Sequence, residues 1–177
     1  MNEVLEAIKN RCSTRAYSEK KLTKEEIETI IIAGLEAPTA RNEREIHISV
    51  VDGKNPILTK LENEKNKLRD AKEAPHNFYY EAPTLFILSA DKNFSWSEVD
   101  AGIAVENMAI AAESLGLGSL IIGCIKDAMR GENEKYYSEK FKIPEGYEYK
   151  IAIAVGHKAM TKVPHEYDIN KSVSYID

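Results

Sequence analysis

The sequence predicts one domain that combines helices with strands. The chain has 177 residues, of which 43% are apolar and 30% are charged, a size that suffices for one hydrophobic core. Apolar residues follow the three-and-four spacing of helices in some segments and the period-two alternation of strands in others. No long linker rich in glycine, serine or proline separates these segments. We therefore expect residues 1–177 to form a single domain.

Helices are predicted from apolar spacing and from capping residues. Leu5 and Ile8 form a short apolar face, and Thr23 followed by an acidic turn predicts the start of a helix that runs to about Glu36. Residues 56–74 are charge-dense with a thin leucine stripe, which is typical of a surface helix. Residues 99–115 are apolar on nearly all sides, so this helix should be buried or lie at a large interface, with Gly116 and Gly118 ending it.

Strands are predicted in four places. Alternation of apolar and polar residues from Glu45 to Val51 and from residue 147 to 155 predicts half-buried strands, and the apolar run 84–88 predicts a central strand. Residues 119–123 form a short extended run. The tail after Gly156 has no partner in the sequence, and residues 172–176 could add an edge strand to a sheet, including that of another subunit.

Composition restricts the classes of partner. The net charge of −5 argues against non-specific binding to nucleic acid or to an anionic membrane, and no apolar run approaches the roughly 20 residues of a membrane helix. The acidic start lacks the pattern of a signal peptide, and two lone cysteines, Cys12 and Cys124, fit a reducing cytosol. We expect a cytoplasmic protein.

Two segments could bind a ligand. Arg11 and Arg15 surround Ser13, a combination of guanidinium groups and hydroxyl that suits a phosphate, although a helix cap with two solvated arginines explains the same residues. Residues 37–42 are small or carry amides that could lie against a flat ligand, as could those of an ordinary connecting turn. Gly123 follows an extended run, where the backbone could approach a ligand closely.

Other enzyme classes find little support. The four histidines form no H-E-x-x-H pattern and no C-x-x-C pair exists, so no metal site is expected. G-x-S-x-G and Walker A patterns are absent, and residues 115–119 lack the third glycine and the preceding strand of a dinucleotide loop. Cys12 beside Arg11 is expected to be a small packed residue rather than a nucleophile.

Four motifs in order resemble those of the FMN-dependent nitroreductase family. They are the R-x-S-x-R element at 11–15, the A-P-T-x-x-N element at 37–42, the D-x-G-x-A-x-x-N helix at 100–107 with its glycine end at 115–119, and the flanks of the last strand at 143–147 and 155–157. No single motif is decisive, but their order and spacing together are specific. The resemblance covers the whole chain and is greatest to short single-domain members.

The resemblance implies an α+β fold with a mixed central β-sheet flanked by helices. It also implies an intertwined homodimer that exchanges C-terminal strands, with the tail from about residue 157 to 177 extending onto the partner subunit. The apolar helix from Val99 would then lie in the dimer core. FMN would sit at the dimer interface, take hydride from NADH or NADPH at its N5 atom, and pass it to a nitroaromatic, a quinone or a similar electron-poor acceptor in a ping-pong reaction.

The resemblance also implies the residues that bind FMN, since the flavin carries the chemistry and no catalytic side chain is expected. One subunit would hold the phosphate, the ribityl chain and the polar edge of the ring, with Arg15 stabilising negative charge on the reduced ring. The other subunit would approach with residues 38–42, and a backbone amide at or next to Gly123 would lie near N5. The expected binding residues are Arg11, Cys12, Ser13, Arg15, Pro38, Thr39, Ala40, Asn42, Ile122, Gly123 and Lys162.

This chain departs from the family pattern at several points. Cys12 replaces a residue that is often basic, and Glu43, Arg44, Glu45 and Ile46 replace the usual x-Q-P-W. After the last strand, Lys158 and Lys162 are the basic residues that could complete the phosphate site, and Lys162 is preferred. Residues 72–81 should border the active site. The alternatives are a specialised flavin enzyme of dehalogenating or flavin-fragmenting type and a flavin-binding dimer without turnover.

Overall fold

The computed structural model describes residues 2–70 and 76–176. Seven helices and four strands follow one another in these residues: α1 (Glu3–Asn10), α2 (Lys24–Leu35), β1 (His47–Asp52), α3 (Pro56–Leu68), β2 (Thr84–Asp91), α4 (Ser97–Ser114), β3 (Leu117–Ile122), α5 (Lys126–Met129), α6 (Glu134–Phe141), β4 (Tyr147–His157) and α7 (Ile169–Ser172). A short 3-10 turn, Ala40–Asn42, lies between α2 and β1.

The four strands form one sheet in the order β1-β2-β4-β3. Within the described residues each of the three strand pairings is antiparallel, for example Thr84 opposite Val155 and Ile122 opposite Ala152. The α+β class is therefore confirmed. The resemblance implies a mixed sheet, with parallel and antiparallel pairs. Among the described residues, the one parallel pairing is the isolated bridge between Ser13 and Ser119.

Helices cover both faces of the sheet, which makes three layers. On one face, α2 and α4 pack against the strands, with Ile30, Met108, Phe86 and Ile153 fully buried. On the other face, α3, α5 and α6 contribute to a second core that includes Leu58. The central strand β2 is buried from residue 84 to 90 because both of its faces are covered, which explains its continuous apolar run.

Most predicted elements are confirmed, with shifted ends. Thr23 accepts from the Glu26 N–H while the Glu26 side chain accepts from the Thr23 N–H, so α2 begins with a complete capping box. β2 and β4 are longer than predicted, by three residues and two residues at their C-terminal ends. β1 begins at His47 rather than Glu45, and Glu45 is buried just ahead of the strand.

Two predictions need correction. Gly118 does not end α4 but is the second residue of β3, and Gly116, with a φ of +73°, marks the end of the helix instead. The helix predicted over 56–74 ends at Leu68, because Asp70 has a φ of +46° that no helix continues. The parts of the predictions that concern residues 71–74 and residue 177 lie outside the described residues.

After β4, the residues described up to 176 form no strand in the single chain. Residues 169–172 form the one-turn helix α7, and residues 173–176 are irregular and exposed. Strand addition to a partner subunit thus stays a prediction. The helices α5 and α6 were not predicted at all; α6 buries Tyr137 and Phe141 and has an otherwise polar sequence.

Several apolar side chains of the helices stay exposed in the single chain. On α1, the predicted apolar face is not covered: Leu5 is 51% and Ile8 48% exposed. On α4, Val99 is 49% and Ile103 37% exposed, although the opposite side of that helix is buried. In the described part of the chain, no helix combines the length and the apolar character needed to cross a membrane.

Candidate functional site

The segment from Arg11 to Tyr17 lies across the ends of β3 and β4. The Thr14 N–H donates to the Ser119 carbonyl at 2.8 Å, and the Ser18 N–H donates to the His157 carbonyl at 3.0 Å. Tyr17 pairs with Lys158 in an antiparallel bridge. Backbone hydrogen bonds therefore anchor the segment that carries the arginines to the edge of the sheet.

Close approach of this segment to the sheet depends on a glycine. A Cβ atom at position 118 would lie 2.6 Å from Thr14 Oγ1 and 2.7 Å from Thr14 Cγ2, and Thr14 is only 1% exposed. Any side chain at position 118 would push the segment away from β3. The Tyr17 hydroxyl adds a hydrogen bond of 2.9 Å to the Thr14 carbonyl, and burial raises the pKa of Tyr17, so this donor stays protonated.

The two arginines differ in their surroundings. The Arg15 side chain is exposed, and its guanidinium carbon lies 5.9 Å from the centre of the Tyr80 ring. Arg11 is partly buried, and its Nε lies 3.2 Å from Oε1 of Glu106 on α4. Ser13 and Cys12 lie between them, both partly buried. An anion could be bound here by Arg15 directly, whereas it would compete with Glu106 for Arg11.

The start of the tail lies beside the same segment. The Ala159 N–H donates to the Ala16 carbonyl at 3.0 Å, and the Arg15 N–H contacts Met160 Sδ at 3.2 Å. Lys162 follows two residues later and is exposed. Lys158 instead binds both carboxylate oxygens of Glu113 at 2.7 Å. Of the two lysines considered from the sequence, Lys162 is thus the one for which the described residues provide no such ion pair.

The end of β3 presents its backbone rather than its side chain. Ile122 is 3% exposed, with its side chain in the core and its carbonyl accepting from the Tyr149 hydroxyl at 2.7 Å. Gly123, the next residue, is exposed, and a Cβ there would meet only Ile151 Cδ1, at 3.8 Å. A flat group could therefore approach the chain at Gly123, but not through the Ile122 side chain.

The segment from Pro38 to Arg44 is held by side chains. The Ala40 N–H donates to Oδ2 of Asp100 at 3.0 Å, and the Arg44 N–H donates to Thr39 Oγ1 at 2.9 Å. The Arg44 Nε donates to Asn42 Oδ1 at 3.1 Å. Asn42 has a φ of +57°, and Arg41 and Arg44 in the same turn also have positive φ. Non-glycine residues in this conformation require surrounding contacts that hold them there.

A buried pair of carboxyl groups lies beneath this segment. Asp100, near the start of α4, is 2% exposed and Glu45 is 7% exposed. Burial, followed by the neighbouring carboxyl group of Asp100, raises the pKa of Glu45. Neither carboxyl oxygen of Glu45 has a hydrogen-bond donor among the described residues.

The structure therefore brings some predicted site residues together and leaves others apart. Arg11 to Arg15, the start of the tail and β3 lie at one edge of the sheet, whereas Pro38 to Asn42 contact the start of α4. Asp100, which holds the second segment, precedes Glu106, the partner of Arg11, by six residues, or about 9 Å along the helix. A ligand that contacts both segments from different subunits is compatible with this separation.

Sequence reasoning assigned no role to three residues at these sites: Tyr80, Met160 and Asp100. Asp100 was part of a motif, and its hydrogen bond to a loop amide is the kind of contact that a buried acid near a helix start makes. Met160 gave no signal, and Tyr80 lay in the segment expected to border the active site without a role of its own, because only the tertiary fold brings these two residues to Arg15.

The segment expected to border the active site is described from residue 76 onward, and residues 72–75 lie outside the described part. His76 Nδ1 lies 3.1 Å from Glu81 Oε2, and the Asn77 side chain accepts from the N–H groups of Tyr79 and Glu81. These contacts hold Tyr80 in a turn with a φ of +51°. The segment thus borders Arg15 through the Tyr80 ring.

Comparison with known proteins gives a consistent result. Residues 8–157 match the model of the Nitroreductase family. A protein of Archaeoglobus fulgidus named as an NADH dehydrogenase/NAD(P)H nitroreductase is 30% identical over 95% of this chain and 92% of its own length. An FMN reductase [NAD(P)H] of Bacillus subtilis is 28% identical over 90% of this chain and 67% of its own.

Solved structures agree with the sequence relatives. A nitroreductase with bound FMN from Desulfitobacterium hafniense superposes with a TM-score of 0.89 at 26% identity and covers 100% of both chains. One from Bacteroides fragilis, also with bound FMN, gives 0.89 at 27% identity over 100% of both chains. Family model, relatives and fold coincide over nearly all of the sequence, and the chain belongs to the nitroreductase family.

Proposed function

We propose that this protein is an FMN-dependent NAD(P)H oxidoreductase that acts as a homodimer and reduces nitroaromatics, quinones or similar electron-poor acceptors. Similarity to an FMN reductase [NAD(P)H] and to FMN-bound nitroreductases supports the cofactor and the reductant. Family membership alone does not choose a site within the chain, so the proposal also needs residues that fit the cofactor.

The observation that carries the proposal is the anchored cationic segment at the edge of β3. Arg15 is exposed, Ser13 is paired to β3, and the tail start lies within hydrogen-bonding distance of the same segment. FMN needs donors for a phosphate, for hydroxyls and for the polar edge of its ring, and guanidinium, hydroxyl and backbone amides supply these. The residues present therefore fit the cofactor.

Each group has a defined task in this proposal. Arg11, Ser13, Arg15 and Lys162 bind the phosphate, the ribityl chain and the ring edge, while the backbone at Gly123 leaves space for the ring. Bound FMN supplies hydride transfer from NAD(P)H to the acceptor. The permanent charge of Arg15 stabilises negative charge near the ring, and no side chain has to exchange a proton during that task. Cys12 contributes through its backbone.

A second copy of the chain completes the site. Pro38, Thr39, Ala40 and Asn42 bind FMN held by the partner, because in one chain this segment is anchored away from the arginines. The exposed apolar residues of α1 and α4, including Leu5, Ile8, Val99 and Ile103, form the face that a second copy covers. The exposed tail carries further apolar residues, among them Tyr175, 84% exposed, for contact with that copy.

The test is a titration of the purified protein with FMN, followed by reduction with NADH and NADPH. We expect a yellow dimer, measured by light scattering, whose flavin absorbance is bleached by at least one reductant and restored by nitroaromatics or quinones. A protein that binds no FMN contradicts the proposal. Bound FMN that NAD(P)H reduces no faster than free FMN identifies a flavin-binding dimer without turnover. Reoxidation by neither nitroaromatics nor quinones favours a specialised flavin reaction.

A further inference from the structure

Glu45 is the buried ionisable group whose surroundings are hardest to reconcile with a charge. The residue is 7% exposed, and both carboxyl oxygens lack a donor among the described residues. An ionised carboxylate in such a place loses its hydration without compensation. The same group in its neutral form carries an O–H that can donate a hydrogen bond.

The available acceptor is Asp100. It is 2% exposed, its carboxyl group is a neighbour that raises the pKa of Glu45, and its Oδ2 accepts the Ala40 N–H at 3.0 Å. One ionised acid can accept from both Ala40 and a protonated neighbour, whereas two adjacent ionised acids repel each other. The burial of both residues, the unpartnered oxygens of Glu45 and the hydrogen bond from Ala40 to Asp100 therefore favour one proton for the pair.

We propose that Glu45 and Asp100 share one proton, carried by Glu45, and that this hydrogen-bonded pair is the positioning device for the segment from Thr39 to Arg44. In this proposal Glu45 is a positioning residue and not a catalytic one. It acts through Asp100, whose other contact is the Ala40 amide. Because that segment contributes to FMN binding from the partner subunit, the effect on FMN rests on the proposed function, whereas the shared proton does not.

The groups around Glu45 reinforce this assignment. Glu43 on the same segment and Asp100 on α4 both add negative charge. Asp91 at the end of β2, Arg41 in the turn and Tyr147 at the start of β4 line the same cavity as Glu45. Arg41 is the cation in this set, and it does not donate to the Glu45 carboxyl oxygens. Loss of the proton from Glu45 therefore leaves repulsion that its described neighbours do not neutralise.

The pH dependence follows from the direction of the shift. The pKa of Glu45 is raised in the folded protein, so the folded state keeps a proton that the unfolded state releases. The contribution of Glu45 to the free energy of unfolding is therefore fully present below the pKa of an ordinary glutamate. It is lost as the pH rises through the raised pKa of the folded state. The order of the segment, and FMN affinity with it, should fall over the same interval.

The first measurement detects the proton itself. Carbon-13 carboxyl signals of glutamate are followed by NMR from about pH 4 to about pH 9, and Glu45→Gln assigns the Glu45 signal by its loss. We expect Glu45 to titrate above the exposed glutamates, and Asp100→Asn, which can donate to an ionised Glu45, to lower its midpoint. A Glu45 signal that titrates with the exposed glutamates overturns the proposal, whether or not FMN binds.

The second measurement tests the positioning role by FMN affinity at low and high pH. In the wild-type protein the dissociation constant should rise as the pH passes the midpoint of Glu45, by at most about tenfold for each pH unit. Glu45→Gln, which keeps a donor at every pH, should retain the low-pH affinity throughout. Glu43→Gln, a matched change on the exposed side of the segment, should keep a pH dependence of the same size, with its midpoint lowered by the loss of one neighbouring negative charge.

Each other outcome has a separate meaning. An unchanged pH dependence in folded Glu45→Gln overturns the positioning role, as does loss of FMN binding by that variant at all pH values. If Glu45→Gln does not fold, Asp100→Asn decides, because it should flatten the pH dependence by the reverse hydrogen bond. Failure of the wild-type protein to bind FMN at any pH contradicts the proposed function, while the NMR titration still decides on the shared proton.

Discussion

The two candidate ligand-binding segments are held in place by different kinds of contact. The segment from Arg11 to Tyr17 is anchored through backbone hydrogen bonds to β3 and to the residues after β4. The segment from Pro38 to Arg44 is anchored through the side chains of Asp100, Thr39 and Asn42, and three of its residues have positive φ. The first segment extends the sheet. The second segment is a turn with residues of positive φ, and hydrogen bonds to side chains hold it in place.

This difference determines how each segment can vary. Backbone anchoring tolerates changes of side chain, provided that the close approach at Gly118 is kept. Side-chain anchoring depends on particular residues, so the same turn in a relative with other residues would be held differently. The departure from the family pattern at Glu43 to Ile46 begins in the side-chain-anchored segment, where Arg44 contacts Thr39 and Asn42 and where the proposed Glu45–Asp100 pair lies.

The largest effect is expected from Arg15→Ala, which removes the exposed guanidinium of the backbone-anchored segment. Loss of a charged hydrogen-bond donor costs about 2–3 kcal/mol, so the FMN dissociation constant should rise by about 100-fold. Fluorescence quenching of FMN measures this constant. Lys20→Ala, which removes an exposed cation from the same connection, is the control. Equal affinities of Arg15→Ala and the wild-type protein would place the phosphate or ring edge elsewhere.

Gly118→Ala should destabilise the anchoring itself by about 2 kcal/mol, because the added methyl group overlaps buried Thr14. Chemical denaturation measures the free energy of unfolding. The double variant Thr14→Ala/Gly118→Ala removes the overlapping atoms and should recover most of the loss relative to Thr14→Ala alone. If the two losses in the free energy of unfolding are additive instead, contact with Thr14 is not what excludes a side chain from position 118.

Thr39→Val tests the side-chain-anchored segment with a smaller effect. It removes the acceptor of the Arg44 N–H and should weaken FMN binding by about 0.5–1 kcal/mol, or about threefold. Because the segment is exposed, the melting temperature should change little. Thr29→Val, which removes a similar hydroxyl from the exposed face of α2, should leave FMN binding unchanged. A stable Thr39→Val variant with wild-type affinity would show that this hydroxyl does not order the turn.

Glu106→Gln should have the smallest effect and the opposite sign. The ion pair with Arg11 is partly exposed, so its loss changes the free energy of unfolding by less than about 0.5 kcal/mol. Arg11 would then be free to bind phosphate, and FMN affinity should rise by about twofold. Glu28→Gln breaks an exposed ion pair on α2 and serves as the control. Weaker FMN binding by Glu106→Gln would instead indicate that Glu106 orients Arg11 for the ligand.

Elements of the fold could be predicted from the sequence where the local residue pattern matches the place of the element in the fold. The capping box at Thr23 and the apolar run of β2 could be predicted because capping and burial on both faces leave direct marks in the sequence. The helix α6 could not, since it buries only Tyr137 and Phe141 and the rest of its sequence is polar. A spacing of four between these two aromatic residues was its one signal.

The candidate site was predicted less completely than the fold. Arg11 and Arg15 could be singled out as cations in an acidic chain, but the pairing of Arg11 with Glu106 and the contact of Arg15 with Tyr80 depend on tertiary structure. The positive φ of Asn42 could not be read from the sequence, since glycine was absent to signal it. Gly118 was assigned to a helix end because its close approach to Thr14 comes from a segment about 100 residues away.

The order of the strands has a consequence for the way in which the chain folds. The central pair joins residues 84–91 to residues 147–157, so the middle of the sheet is built from sequence-distant segments. During synthesis, β1 and β2 can pair early, but the exposed edge of β2 has to wait for the last strand to leave the ribosome. Until β4 is added, this edge exposes the seven residues of β2 that are buried in the folded protein. Such a segment has strong aggregation potential. Folding yield should therefore be most sensitive to conditions that delay the addition of β4.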